Sequence, residues 1–133
     1  MAGATTFHLS VITPERAVLE ADASFVAFPA HDGEIGILPG RAPLLCKLGA
    51  GLLRADTAAG KHSLFVAGGF AQMVEDRLTL LTEQAKELTR IDRAEAERAL
   101  AAARAMKVSD DASFRARQAA LASARAQLKL SAR

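Results

Sequence analysis

The uneven distribution of glycine and proline constrains the fold of this chain more than any other feature of its sequence. All nine glycines and all four prolines of the 133 residues lie at or before Gly69, whereas residues 89–133 contain 15 alanines. Glycine adopts backbone angles that other residues avoid and proline fixes one of them, so both mark turns, while alanine is the strongest helix former. We therefore expect two domains, a turn-rich one over residues 1–88 and a helical one over residues 89–133.

Short apolar runs separated by turns fill the first of these segments. Phe7, Leu9 and Val11 alternate with polar residues, and further apolar runs follow at 25–28, 52–55, 64–66, 70–74 and 78–81. The last two runs flank residues 75–77, which predicts a hairpin there. Short strands at this spacing, with no amphipathic helix between them, are typical of an all-β flattened sandwich or barrel. The periodicity does not distinguish the sandwich from the barrel.

The second segment is predicted to form an antiparallel hairpin of two helices. Asp92 and Glu95 have the spacing of a capping box, with Asp in the position that Ser or Thr more often occupies, and helix one then runs to about Met106. Residues 108–111 supply a break with new N-cap candidates, and helix two runs from about residue 112 to near residue 130. The predicted fold is thus an all-β domain followed by a two-helix hairpin.

A stripe of large apolar side chains indicates how the hairpin packs. Phe114, Leu121 and Leu128 recur every seven residues and share one face of helix two, which we expect to pack against helix one. Three alanines on helix one would let the two helix axes approach closely, namely Ala96, Ala99 and Ala103. Because few large apolar side chains are available to hold it, we expect the hairpin to be only marginally stable and able to detach.

Charge is distributed as unevenly as glycine. Residues 1–88 carry seven Lys/Arg and ten Asp/Glu, residues 89–133 carry ten Lys/Arg and five Asp/Glu, and no acidic residue follows position 111. The basic helix two would neutralise phosphates, but the chain has no Trp or Tyr on which bases could stack, so we expect no nucleic-acid binding. A solvated helix face and a contact with an acidic protein surface remain as alternatives.

No group of residues in the sequence has the pattern of a catalytic, metal or cofactor site. His8, His31 and His62 are far apart and lack the spacing of metal ligands, and the glycine pairs match no phosphate-binding loop. Cys46 is the only cysteine, which excludes a disulfide within the chain and predicts a buried thiol. The first eight residues resemble no signal or transit peptide, so we expect a soluble, cytoplasmic protein.

Two glycine-containing segments carry a resemblance to a known family. The first, residues 32–45, reads DGEIGILPGRAPLL, and the second, residues 68–74, reads GGFAQMV and is followed by LTLL at 78–81. Both are similar to signatures of the epsilon subunit of F-type ATP synthases, where the first is usually Gly-Glu-(Leu/Ile)-Gly-(Ile/Val)-(Leu/Tyr)-Pro-Gly-His-Ala-Pro-Leu. The resemblance extends from Phe7 to about Leu130. It implies a flattened β-sandwich followed by a two-helix hairpin.

The resemblance also implies a function as a non-catalytic subunit of the central stalk, or rotor, that couples rotation of the c-ring to the catalytic head. In that family the sandwich docks on the gamma subunit and on the loops of the c-ring, at the cytoplasmic face of the bacterial inner membrane. The subunit would then be associated with the membrane only as part of the complex. The residues expected at the gamma and c-ring contact are Asp32, Glu34, Arg41 and Pro43.

The hairpin of the family can unfold, contact the alpha and beta subunits, and inhibit ATP hydrolysis. By resemblance, the expected inhibitory basic face consists of Arg115, Arg117, Arg125 and Lys129. Members that sense ATP carry (Ile/Leu)-Asp-x-x-Arg-Ala at the start of helix one. Here Ile91 and Asp92 match that motif, but Glu95 replaces its Arg, as Arg41 replaces the usual His of the first signature. We therefore expect ATP binding to be weak or absent.

Overall fold

A computed structural model describes residues 5–131. Within them the chain forms nine strands, a short 3₁₀ turn and two α-helices. The strands are β1 (Phe7–Ile12), β2 (Ala17–Ala30), β3 (Gly33–Ile37), β4 (Leu44–Lys47), β5 (Ala50–Thr57), β6 (Gly60–Ala67), β7 (Phe70–Val74), β8 (Arg77–Leu81) and β9 (Gln84–Glu87). The 3₁₀ turn covers Leu88–Arg90, and the helices are α1 (Arg93–Ala105) and α2 (Asp111–Ser131).

One continuous sheet folds over on itself to make the predicted flattened sandwich. The strand order is β4-β7-β8-β1-β2-β5-β6-β9, and β3 pairs with β2 outside this path. The 14-residue strand β2 makes the fold possible, because Ala17–Ala23 pairs with β1 while its later residues pair with β5 and β3. Both layers therefore share this strand. The predicted all-β sandwich followed by a helical hairpin is confirmed.

The core lies between the two layers and follows the period-2 alternation of their strands. In β8, Leu78 and Leu80 are buried while Arg77 and Leu81 are exposed. Inward-facing residues of both layers belong to one apolar cluster. The largest buried side chains of that cluster are Phe7, Phe28, Leu9, Ile37, Leu53, Met73, Leu78 and Leu80.

Three strands were not predicted from the sequence. Two of them, β3 and the start of β4, lie within residues 32–45, with one turn between them. The third is β9, which pairs with β6 at one edge of the sheet. The predicted β7–β8 hairpin is confirmed, except that Arg77 is the first residue of β8 and only Glu75 and Asp76 form the turn.

Side-chain caps fix where both helices begin. The Asp92 carboxylate accepts a hydrogen bond from the Ala94 N–H at 2.9 Å, which makes Asp92 the N-cap of α1 as predicted. At α2 the Asp110 carboxylate accepts from the Ser113 N–H at 2.8 Å, and the Ser113 hydroxyl oxygen accepts from the Asp110 N–H at 3.0 Å. This reciprocal pair is a capping box, and its hydrogen bonds lower the pKa of Asp110.

The end of α2 packs on the outside of the sandwich. Leu130 is buried against Phe65 and Ala67 of β6 in a small cluster that is separate from the main core. Beside it, the buried Ser123 hydroxyl donates to Gln84 Oε1 at 3.0 Å. We call this contact between α2 and the sandwich, comprising Phe65, Ala67, Ser123, Gln84 and Leu130, the hairpin dock.

The predicted apolar stripe of helix two is wrong for one of its three members. Leu121 is buried and Leu128 half-buried, but Phe114 is 50% exposed, and Ala99 of α1 is exposed as well. Helix α2 packs against both α1 and the strands β5 and β6. Its buried positions therefore do not follow one seven-residue stripe.

Candidate functional site

Four large apolar side chains lie exposed on the outer surface of one sandwich layer. Leu45 of β4 is 71% exposed, Phe70 of β7 is 50% exposed and Leu81 of β8 is 55% exposed, and Val74 is the fourth. Strand pairing places Phe70 directly beside Leu81, while Leu45 lies beside Gln72, the residue between Phe70 and Val74. We call these four residues the outer apolar face. Several large apolar side chains exposed close together on one surface are a common feature of interaction surfaces.

The outer apolar face and the hairpin dock lie on opposite sides of the sandwich. Ala71, Met73, Leu78 and Leu80, which alternate with residues of the face, point inward to the main core. On the other layer Leu64 and Val66 belong to that same core, whereas Phe65 between them points outward to α2. The helices therefore cover one outer surface of the sandwich and leave the other free.

A polar cluster continues this surface onto β1 and β2. The ring of His8 lies between two carboxylates, with Nδ1 at 3.2 Å from Asp22 Oδ1 and Nε2 at 3.4 Å from Glu20 Oε1. The Ser10 hydroxyl donates to Glu20 Oε1 at 2.9 Å. This hydrogen bond and the one from His8 lower the pKa of Glu20, so the cluster keeps its negative charge to lower pH than a free Glu would.

The four residues expected at the gamma and c-ring contact are all exposed, but they do not form one group. Asp32 lies in the turn between β2 and β3, and Glu34 on β3 pairs with Arg54 at 3.6 Å. Arg41 and Pro43 lie in the loop at the other end of β3. Since the five residues of β3 span roughly 16 Å, the two pairs present separate surfaces.

The loop that carries Arg41 begins with a well-defined turn, which we call the Pro39 turn (residues 38–41). The Arg41 N–H donates to the Leu38 carbonyl at 3.3 Å, and Gly40 has φ of 81°. Proline at the second position and glycine with positive φ at the third are the features of a type II turn. Leu38 is 60% exposed on this turn. The glycine and proline of the sequence signature are thus explained by the turn they make.

Of the four residues expected on the basic face of the hairpin, three are exposed on one side of α2 and the fourth contacts α1. Arg115, Arg125 and Lys129 are exposed and fall within about 80° of one another on a helix of 3.6 residues per turn. Arg117 is half-buried, and its guanidinium donates to the carbonyl oxygen of Arg104 near the end of α1 at 3.4 Å. Arg117 therefore links the two helices, while the other three form one cationic surface.

The three residues of the degenerate ATP-sensing motif have different surroundings. Ile91 is half-buried and packs beside the cluster of Phe65 and Leu130. Asp92 caps α1, and Glu95 is exposed in the first turn of that helix. A carboxylate at the helix N-terminus is favoured by the helix dipole, but it repels a phosphate from the same position.

Reactive side chains do not converge elsewhere in the described part of the chain. Residues 5–131 contain no cluster of His, Cys, Asp and Glu suited to a metal ion. Cys46 is half-buried, and desolvation together with the charge of Asp32 raises its pKa, which disfavours the reactive thiolate. Neither α1 nor α2 is long and apolar enough to cross a membrane.

Sequence comparison identifies relatives of this chain over most of its length. The family profile described as "ATP synthase, Delta/Epsilon chain, beta-sandwich domain" matches residues 6–88. An ATP synthase epsilon chain of Rhodopirellula baltica is 43% identical over 121 residues, which cover 91% of this chain and 94% of the relative. An ATP synthase epsilon chain of Lawsonia intracellularis is 34% identical over 108 residues, which cover 80% of this chain and 81% of the relative.

Solved structures share the fold at lower identity. A chain in the structure of the Euglena gracilis mitochondrial ATP synthase, containing OSCP, F1 and the c-ring, superposes with a TM-score of 0.79 at 23% identity. That match covers 100% of this chain and 85% of the other. A chain from the central stalk and c-ring of the Tetrahymena thermophila mitochondrial ATP synthase gives a TM-score of 0.72 at 13% identity, with coverage of 97% and 98%.

Proposed function

The chain belongs to the epsilon-subunit family of F-type ATP synthases, and we propose that it is a non-catalytic rotor subunit that docks on gamma and on the loops of the c-ring. In this role it couples rotation of the c-ring to the catalytic head, and its helical hairpin inhibits ATP hydrolysis. Its place is peripheral, at the cytoplasmic face of the bacterial inner membrane, and it meets the membrane only through the complex. The division into a docking domain (1–88) and a regulatory hairpin (89–133) is part of this proposal.

The observation that carries the proposal is the outer apolar face. A protein that worked alone would leave Leu45, Phe70 and Leu81 in water, where they promote aggregation. Permanent complexes cover such surfaces with an apolar partner surface. The side of the sandwich that bears this face is not covered by the helices, so gamma can dock there while the hairpin remains folded against the opposite side.

The polar ends of the sandwich supply the remaining contacts with the rotor. Arg41 and Pro43 lie at one end of β3, and Asp32 and Glu34 lie at the other. We assign both groups to contacts with gamma and the polar c-ring loops. Because β3 separates them, each group contacts a different part of that assembly. Charged and polar groups at such positions fix the orientation of docking more than its strength.

Inhibition is assigned to the hairpin and its cationic surface. Arg115, Arg125 and Lys129 have no acidic neighbour on α2 after Asp111, so the surface attracts acidic segments of the alpha and beta subunits. The hairpin dock is small and separate from the main core, so release of α2 leaves the sandwich core intact. An extended hairpin can then reach the catalytic head.

We expect Phe70→Asp to weaken binding of the full chain to gamma by at least about tenfold, because docking would bury an unpaired charge. Phe114→Asp is a matched control, because Phe114 is also 50% exposed but lies on α2, away from the outer apolar face. Binding to purified gamma is measured by titration calorimetry. Equal affinity of both variants and the wild type would contradict docking through this face.

We expect the isolated chain to bind ATP weakly or not at all, because Glu95 presents a negative charge where ATP-sensing members have an Arg. Isothermal titration with ATP measures this directly. The variant Glu95→Gln removes the charge while keeping the side-chain length, and it should bind ATP more tightly than the wild type. A wild-type dissociation constant in the micromolar range would contradict the prediction.

A further inference from the structure

Asp76 lies at positive φ, a conformation that residues with a side chain adopt much less often than glycine. It is the second residue of the two-residue turn between β7 and β8, and φ is 47° at Glu75 and 57° at Asp76. Two successive positive φ values define a type I′ turn, for which Asn-Gly is the favoured sequence. Glycine is favoured at this position and Asp is also accommodated there, so the presence of Asp rather than glycine calls for an explanation.

The contacts of Asp76 supply that explanation. Its carboxylate Oδ1 accepts a hydrogen bond of 2.7 Å from the Gly40 N–H in the Pro39 turn. Its carbonyl oxygen accepts a hydrogen bond of 2.9 Å from the His8 N–H at the start of β1. One residue thus joins three segments that are distant in sequence. Only the bond to Gly40 requires the side chain, and a glycine at position 76 would lose it.

The Gly40 bond determines where the exposed residues of the Pro39 turn lie. Its donor belongs to the residue between Pro39 and Arg41, so the bond fixes the turn itself rather than its flanks. The acceptor is next to Arg77, whose partner across the hairpin is Val74 of the outer apolar face. Leu38 and Arg41 are therefore held at the edge of that face, and both are exposed there.

We propose that Asp76 is a positioning residue that holds the Pro39 turn against the edge of the outer apolar face, so that gamma meets the turn and the face as one rigid surface. The inference rests on the proposed function, because it assigns this surface to gamma. It gives the Asp76 carboxylate a function that glycine, which lacks a side chain, could not perform.

The test compares Asp76→Gly with Asp76→Asn in the full chain. Glycine suits the positive φ but removes the acceptor, and these effects on stability oppose each other, so the midpoint of thermal unfolding should change little while the affinity for gamma falls about tenfold. Asparagine tolerates positive φ and keeps an Oδ1 acceptor, so it should bind gamma within about threefold of the wild type. Hydrogen exchange at the Gly40 amide should accelerate in the glycine variant alone.

A loss of affinity for gamma without a loss of stability distinguishes positioning from simple structural support. The proposal is overturned if Asp76→Gly binds gamma as tightly as the wild type, or if its affinity and its unfolding midpoint fall together. It is also overturned if exchange at Gly40 is the same in all three proteins. Failure of the wild type itself to bind gamma would instead count against the proposed function, since the exchange measurement needs no partner.

Discussion

Replacing Gly69 with alanine should destabilise the sandwich by about 3 kcal/mol or more. A Cβ atom at this position would overlap the Leu81 carbonyl oxygen and would lie 2.9 Å from the Thr82 Cα. Both are backbone atoms, so no side chain can rotate away to make room. In addition φ at Gly69 is 96°, a conformation that residues with a Cβ rarely adopt. The Gly69 carbonyl oxygen also accepts a hydrogen bond from the Leu48 N–H at 2.9 Å. A shift of Gly69 that relieved the clash would therefore disturb the segment after β4 as well.

Gly60→Ala is the matched control. Gly60 also has positive φ, at 120°, but a Cβ there would meet no atom within 4 Å. The free energy of unfolding of this control should fall only by the cost of placing alanine at positive φ, about 1–2 kcal/mol. Urea denaturation of both variants measures the difference in the free energy of unfolding. Similar losses at the two positions would show that backbone conformation, rather than close approach to Leu81, requires the glycine.

Two changes to the hairpin should alter ATP hydrolysis by the reconstituted complex in opposite directions. Truncation after Leu88 removes both helices, and we expect it to raise hydrolysis several-fold while assembly is preserved. Leu130→Ala leaves the hairpin present but weakens the hairpin dock by about 2 kcal/mol, which shifts the balance towards release roughly 30-fold. Hydrolysis should therefore fall below the wild-type level.

Leu128→Ala provides the control for the hairpin prediction. Leu128 is half-buried on the same helix but does not belong to the cluster around Phe65. Replacing Leu128 with alanine should therefore change hydrolysis less than replacing Leu130 does. ATPase activity and subunit composition are measured on the same preparations. Unchanged hydrolysis after removal of both helices would mean that the hairpin does not inhibit ATP hydrolysis. Increased hydrolysis in Leu130→Ala would mean that the docked hairpin is the inhibitory form.

The local sequence was sufficient to predict those strands and helices whose residues have a matching intrinsic preference. The enrichment of alanine after residue 88, in a segment without glycine or proline, and the N-cap at Asp92 were sufficient for the division into strands and helices. Strands β3 and β9 escaped prediction because β3 contains two glycines and β9 contains a single apolar residue, Ala85. Such segments become strands because β2 and β6 offer them hydrogen-bonding edges, which is a tertiary effect.

The candidate surfaces were predictable only in part. The signature indicates Arg41 and Pro43, but the sequence does not indicate the outer apolar face, because Phe70 and Leu81 belong to apolar runs that are typical of buried strands. Apolar residues on both faces of β8 could have indicated it, since a strand with one face in water should alternate apolar and polar residues. The hydrogen bond between Asp76 and Gly40 joins residues 36 positions apart, and no local pattern indicates it.

The length of β2 has a mechanical consequence for a subunit attached to a turning shaft. Because Ala17–Ala30 runs unbroken through both layers, a force that tends to slide one layer over the other is carried by covalent bonds of this strand. Its antiparallel neighbours β1 and β5 are then loaded along their length, so that many hydrogen bonds resist together rather than one after another. We therefore expect torque applied at one outer surface to reach the opposite surface with little internal slip.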